Sequence, residues 1–293
     1  MDVRPAIKLL DELNAVRRFT DTGTFLAYLF QTAMYLPAIV RAGNLSRADT
    51  GMRGRACSFR VGERKWMMLD GVHFGAAREI CCRGVYSAIP GFEIADSDVV
   101  VDLGANAGVF TTLAAIRGKR VIAVEAQSGF VRIIESNLKN NRCSDKVSVA
   151  LGLIGAGSGL FRDESERKKA SHWGDEPRTL SLYQIIERYE LEQIDFLKVD
   201  IEGSEFDLMS DAIGWLSRVR RLAMEVHLQY GDLRKIVRTL KEAGFEVWLV
   251  DNDKRGVPFL TGCNGYLFAK ATSRGEAAIH ERAGREAGIE ARP

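Results

Sequence analysis

The chain has 293 residues, 46% hydrophobic and 27% charged, with a formal net charge of +2 at pH 7. This is the profile of a globular protein with room for one large α/β domain and an extension, or for two domains. It excludes a strong electrostatic pull toward nucleic acid or an anionic membrane, and the short runs Arg17-Arg18 and Arg218-Val-Arg-Arg221 read as solvated faces.

The five cysteines (Cys57, Cys81, Cys82, Cys143, Cys263) are odd in number, two are adjacent, and none has C-x-x-C spacing. A disulfide framework or a structural zinc is therefore not expected, and a reducing compartment, the cytoplasm, is. The N-terminus shows no secretory signal pattern.

Residues 1–55 are patterned as helix, with Leu9, Leu10, Leu13 and Val16 near helical spacing. Within them, the apolar stretch 25–40 contains Gln31, Thr32 and Pro37 and falls short of the roughly 20 residues of a membrane span. It reads as a buried or interfacial helix; a membrane surface or a second subunit is the less favoured contact. Residues 57–61 and 66–69 read as strands, 78–88 as a helix, and 90–98 as a loop. Together, residues 1–95 form an extension.

From Asp98 strands and helices alternate. Strands are expected at 99–103, 121–125, 147–151, 194–199, 221–226, 245–250 and 265–269. Helices are expected at 108–117, 129–140, 182–189 and 232–243, the last closed by Gly244. The stretch 152–179 reads as a polar insertion, and 272–293 as a mobile tail. This alternation predicts an α/β fold with a doubly wound, mostly parallel seven-stranded sheet, the last two strands forming an antiparallel edge hairpin.

The first strand carries Asp102 into the turn Gly104-Ala-Asn-Ala-Gly108. A dinucleotide site needs glycine at three points of such a turn, but here Asn106 and Val109 hold the second and third. A side chain thus stands where a pyrophosphate would press on backbone, which argues against a nicotinamide cofactor. Asp102 suits a cation better than a phosphate, and S-adenosylmethionine carries an ammonium and a sulfonium. Glu125 closes the next strand 21 residues after Gly104, near the roughly 20 expected of a ribose-binding acid. These features together predict an S-adenosylmethionine site.

Asp200 ends the fourth strand, so it should face the same crevice. Glu225 and His227 alternate onto one face at the end of the fifth, and an imidazole there suits proton transfer. Asp200, Glu225 and His227 are also metal-ligand types, but their spacing is not diagnostic and no metal is expected. Glu205 reads as a solvated helix face. His172 and Trp173 lie in the insertion, a place for acceptor contact; an exposed loop pair is the plainer reading. The run Asp251–Gly256 opens like a calcium loop, but its twelfth position is Gly262 rather than Glu.

The runs Val-Val-Asp102-Leu-Gly-Ala-Asn106-Ala-Gly108, Val-Glu125, Leu180-Ser-Leu182 and Ile194-Asp-Phe-Leu-Lys-Val-Asp200-Ile-Glu-Gly-Ser-Glu205 resemble the FkbM family of S-adenosylmethionine-dependent methyltransferases. The resemblance covers about residues 79–270. It implies a class I methyltransferase domain at 96–271 and O-methylation of a hydroxyl on a sugar, glycolipid or secondary metabolite. The alternative is an inactive cofactor-binding or scaffolding module.

By this match Gly104, Asn106 and Gly108 line the methionine end of the cofactor, Glu125 the ribose and Ala150 the adenine. Asp102, Ala105, Thr111, Ala126 and Asp200 complete the expected set. Asp200, His227 and Glu225 are the expected catalytic residues. The chain departs from the family pattern at Ala126-Gln127, where a proline usually follows the ribose acid. It departs again at Tyr183-Gln184, where two acids are common.

Overall fold

The computed structural model of the chain describes residues 4–68, 70–155, 174 and 176–272. An antiparallel hairpin, β1 (Cys57–Val61) and β2 (Arg64–Met68), precedes a seven-stranded sheet. That sheet contains β3 (Val99–Leu103), β4 (Arg120–Glu125), β5 (Val147–Leu151), β8 (Phe196–Val199), β9 (Arg221–His227), β10 (Phe245–Val250) and β11 (Asn264–Ala271). A short parallel pair, β6 (Leu153–Ile154) and β7 (Thr179–Leu180), brackets the insertion. His172, Trp173 and the tail from residue 273 lie outside the described residues.

The sheet order is β10-β11-β9-β8-β3-β4-β5. Six of the seven strands run in one direction, while β11 runs antiparallel to both its neighbours, β9 and β10. The last two strands do form the expected edge hairpin, with the later strand placed inside. From β3 the chain winds outward through β4 and β5, then returns to β8 on the other side. Strand order thus reverses between β3 and β8, and their C-terminal ends open the crevice where open α/β sheets bind ligands.

Both faces of the sheet are covered, as its near-continuous apolar strands require. Val101, Leu103, Ile122 and Leu197 pack with Ile185, Trp215, Ile236 and Leu240 on one side. Val100, Val121, Phe196 and Phe268 pack with Phe92, Phe110 and Ile134 on the other. The amphipathic helix Leu233–Glu242 buries Ile236 and Leu240 and is capped by the Asp232 side chain. Gly244 follows it at φ +85, the left-handed stop that the sequence suggested.

The N-terminal residues build a third core. Phe59 stacks on Trp66 with centroids 4.9 Å apart, and Tyr28 on Phe74 at 4.8 Å. This core closes on the sheet domain through Val109 and Ile116. The helix expected at 78–88 is broken by Gly84, at φ +64, into a wide turn, Arg78–Arg83, and a short 3-10 turn, Val85–Ser87. Arg78 is buried against Glu12 (2.7 Å) and Asp49 (3.0 Å), and Asp49 also accepts the Tyr28 hydroxyl.

The apolar stretch forms two helices, Thr22–Met34 and Leu36–Ala42, bent by 72°. They bury Tyr28 and Ile39 but leave Leu26, Phe30, Met34 and Val40 exposed. Among the described residues no single helix is long and apolar enough to cross a membrane. Arg221 corrects the reading of its run as a solvated face. It is largely buried, donating to Asp98 and to the carbonyls of Gly91, Glu93 and Asp195, because Asp98 at the foot of β3 needs a partner.

Candidate active site

The turn after β3 explains its glycines. The amides of Gly104 and Ala105 both donate to the carbonyl of Val124 at 3.0 Å. Gly104 has φ +79, and a Cβ there would lie 1.7 Å from the backbone oxygen of Asp200. Only glycine lets β3 and β8 approach this closely. Asn106 also sits at positive φ, and its amide donates to Glu125 Oε2 at 2.6 Å.

Glu125 is buried at the end of β4, and its other oxygen accepts from the Gln127 amide at 2.8 Å. Burial pushes its carboxyl up, against the lowering pull of the Gln127 and Asn106 amides. Each oxygen keeps acceptor capacity toward the cleft it lines. That cleft has a cavity volume of about 70 Å³ and is lined by the β3 turn, Val124, Glu125, Ala126, Gln127, residues 152–154 and residues 200–202. Among the described residues its charged lining is Glu125, Asp200 and Glu202.

Of the residues named for the cofactor, Gly104, Asn106, Glu125, Ala126 and Asp200 line this cleft. Asp102, Ala105, Gly108, Thr111 and Ala150 are buried behind it. The cation beside Asp102 belongs to the protein: Lys198, its register partner on β8, places Nζ 3.0 Å from Asp102 Oδ1. Lys198 also donates to the Gly104 carbonyl at 2.6 Å and lies 3.9 Å from Asp200. Burial pulls its ammonium down, but Asp102 and Asp200 override this and hold it above the ordinary lysine value. Thr111 completes the shell by donating to Asp102 at 2.6 Å. A lone lysine within an apolar strand was the signal for this pair.

Asp200 accepts the Tyr86 hydroxyl at 2.9 Å, and burial followed by the charge of Asp200 pushes the Tyr86 phenol well up. His227 stands 3.1 Å from Glu205 through Nδ1 and 3.4 Å from Glu202 through Nε2. Glu205 is fully buried, correcting its reading as a solvated face. Its Oε1 accepts the amides of Ile201 and Gly203 as well as facing His227, because the turn after β8 folds those amides inward. Burial pulls the His227 imidazole down, but Glu205, Glu202 and Asp200 hold it above its usual value. Glu225, bonded by Asn264, is pushed up by burial and then by Asp200.

A sheet reversed at its first strand, a glycine turn there and an acid ending the next strand define a class I, Rossmann-like methyltransferase fold. The sequence model of the methyltransferase FkbM domain matches residues 102–247, and the chain belongs to that family of S-adenosylmethionine-dependent methyltransferases.

The AMB antimetabolite synthetase AmbE of Pseudomonas aeruginosa is 28% identical over 226 residues, a match covering 58% of this chain and 10% of that protein. The chain thus spans about a tenth of the length of this curated relative. Among solved structures, an rRNA methylase from Streptococcus thermophilus is similar at 13% identity and TM-score 0.40, covering 61% of this chain and 90% of that one. SMU.1697c from Streptococcus mutans, solved in complex with SAH, is similar at 14% and 0.40, covering 61% and 91%.

Proposed function

We propose that this protein methylates a hydroxyl oxygen of a small molecule or glycan: a sugar, a glycolipid or a secondary metabolite. One observation carries the reading. Among the described residues, the cleft at the β3 turn is charged by carboxylates, with His227 beside it and no Lys or Arg in its lining. Such a cleft attracts a cationic cofactor and repels a polyanionic phosphate backbone. The antimetabolite synthesis named in the AmbE relative accords with a small-molecule acceptor.

The residues suit S-adenosylmethionine: Glu125 would hold the ribose hydroxyls and the acidic cleft the ammonium and sulfonium. When bound, this cofactor supplies an electrophilic methyl group. Gly104, Asn106 and the Lys198-held turn would hold it in the cleft, and alignment of this kind is what methyl transfer depends on. The carboxylate–imidazole group of Asp200, Glu225 and His227 would take the proton of an acceptor hydroxyl. The five unpaired cysteines support a cytoplasmic location.

The test is calorimetric titration with S-adenosylmethionine and S-adenosylhomocysteine, wild type beside Glu125→Ala, followed by turnover on hydroxyl acceptors. Losing two hydrogen bonds to a charged group, each worth about 1.5–3 kcal/mol, should weaken binding at least ~100-fold. Binding without turnover on any hydroxyl acceptor would favour the inactive cofactor-binding module. Methylation of RNA instead would overturn the assigned acceptor class.

A further inference from the structure

We propose that Asp200, Glu202 and His227 form a binding site for a divalent first-row cation of the Mn²⁺ type, a proposal that rests on the methyltransferase reading. One ligand atom from each lies within 4.8 Å of the others, and among the described residues no other such group occurs. Metal–ligand bonds of about 2.0–2.2 Å place opposed ligands about 4.2 Å apart, so a small movement of the exposed Glu202 closes the set. Two carboxylates and an imidazole suit Mn²⁺ or its neighbours better than the all-oxygen shell of Ca²⁺.

The imidazole is already oriented for this task. Nδ1 of His227 sits 3.1 Å from Glu205 Oε1, an oxygen that two backbone amides hold in place. A histidine that donates its Nδ1 proton to a fixed carboxylate presents the Nε2 lone pair outward, the arrangement that orients metal-bound histidines. Here Nε2 faces Glu202 at 3.4 Å.

Two further observations point to a missing positive charge. Glu205 Oε2 is buried with no hydrogen-bond donor among the described residues. Four carboxylates, those of Asp200, Glu202, Glu205 and Glu225, surround one imidazole, while nearby Lys198 is already held by Asp102. Asp200 lines the cleft, and its Oδ2 is held by Tyr86, which leaves Oδ1 for the cation.

A cation at this point would bind the acceptor hydroxyl oxygen and ease its deprotonation. Glu225, outside the three ligands, would take the released proton. The O–CH₃ bond then forms as the S–CH₃ bond breaks with its electron pair left on sulfur.

The experiment is Mn²⁺ titration of the chelator-stripped full chain, read as loss of the free Mn²⁺ electron paramagnetic resonance signal, with S-adenosylhomocysteine calorimetry on the same samples. The expected result is one Mn²⁺ per chain, weakened at least tenfold by Glu202→Gln and by His227→Gln. Both variants should retain the thermal melt of the wild type, and chelator should abolish hydroxyl methylation while leaving S-adenosylhomocysteine bound. If S-adenosylhomocysteine binds but Mn²⁺ does not, or if Glu202→Gln leaves Mn²⁺ affinity unchanged, the cation site is overturned and the methyltransferase reading stands. If S-adenosylhomocysteine itself fails to bind, it is the underlying reading that fails.

Discussion

Replacing Lys198 with Met removes the charge that compensates Asp102. Asp102 is completely buried, and without Lys198 only the Thr111 hydroxyl remains to bond it. Stripping one partner from a buried ion pair typically costs about 3–5 kcal/mol, because the remaining charge is stranded in apolar surroundings. For a domain of this size that corresponds to a fall in Tm of roughly 6–20 °C. The Gly104 carbonyl also loses its 2.6 Å bond, so affinity for S-adenosylhomocysteine should fall together with stability.

The control is Lys198→Met with Asp102→Asn, which removes the stranded charge and should recover at least half of the loss. The sign with pH is fixed as well. Lys198 is held above its ordinary value of 10.5, so its contribution is complete below that pH and fades only as pH climbs through the folded value. The penalty should therefore be the same at about pH 6.5 and 8.5. Urea and thermal unfolding measure all of this. A single-variant cost below about 1 kcal/mol, or no recovery in the double variant, would refute the reasoning.

Arg78→Met should cost about 3–5 kcal/mol by urea unfolding, since it leaves Asp49 and Glu12 facing each other beneath the N-terminal helices. Burial pushes Cys57 and Cys81 up to about 12 and Cys143 to about 11, and it raises Cys82 as well. A thiol reagent at about pH 8 should thus label the folded chain once, at the exposed Cys263; a second fast site would contradict this burial. Gly104→Ala should abolish S-adenosylhomocysteine binding in calorimetry, because a Cβ 1.7 Å from the Asp200 oxygen must separate β3 from β8. Ser181→Ala removes one half of a capping box and should cost about 1 kcal/mol of stability.

The central strands were legible because a buried parallel strand must be continuously apolar. The central strand at 99–103 stands where the pattern placed it, and so do the two edge strands at 147–151 and 245–250. The helix stop at Gly244 and the Gly104 turn were legible for the same local reason. The departure at Gln184 also has a local resolution: its side chain completes the capping box with Ser181, so no acid is needed there.

What stayed hidden depends on contacts distant in sequence. Tyr86 reaches Asp200 across 114 positions, and Arg221 reaches Asp98 across 123. Glu205 looked like surface because its partners, the amides of Ile201 and Gly203, have no side-chain signature. Placement of β11 inside β10 is likewise a pairing choice that strand periodicity does not encode.

The hydroxyl of Tyr86 makes the catalytic half of this chain hard to transplant. Its ring is wedged edge-on between Phe110 and Tyr266, and its oxygen restrains the carboxylate at the crevice mouth. A cassette cut at residue 96 would keep every strand of the large sheet yet release that carboxylate. Any chimera that borrows this domain must therefore carry the wide turn and 3-10 turn at residues 78–87 with it.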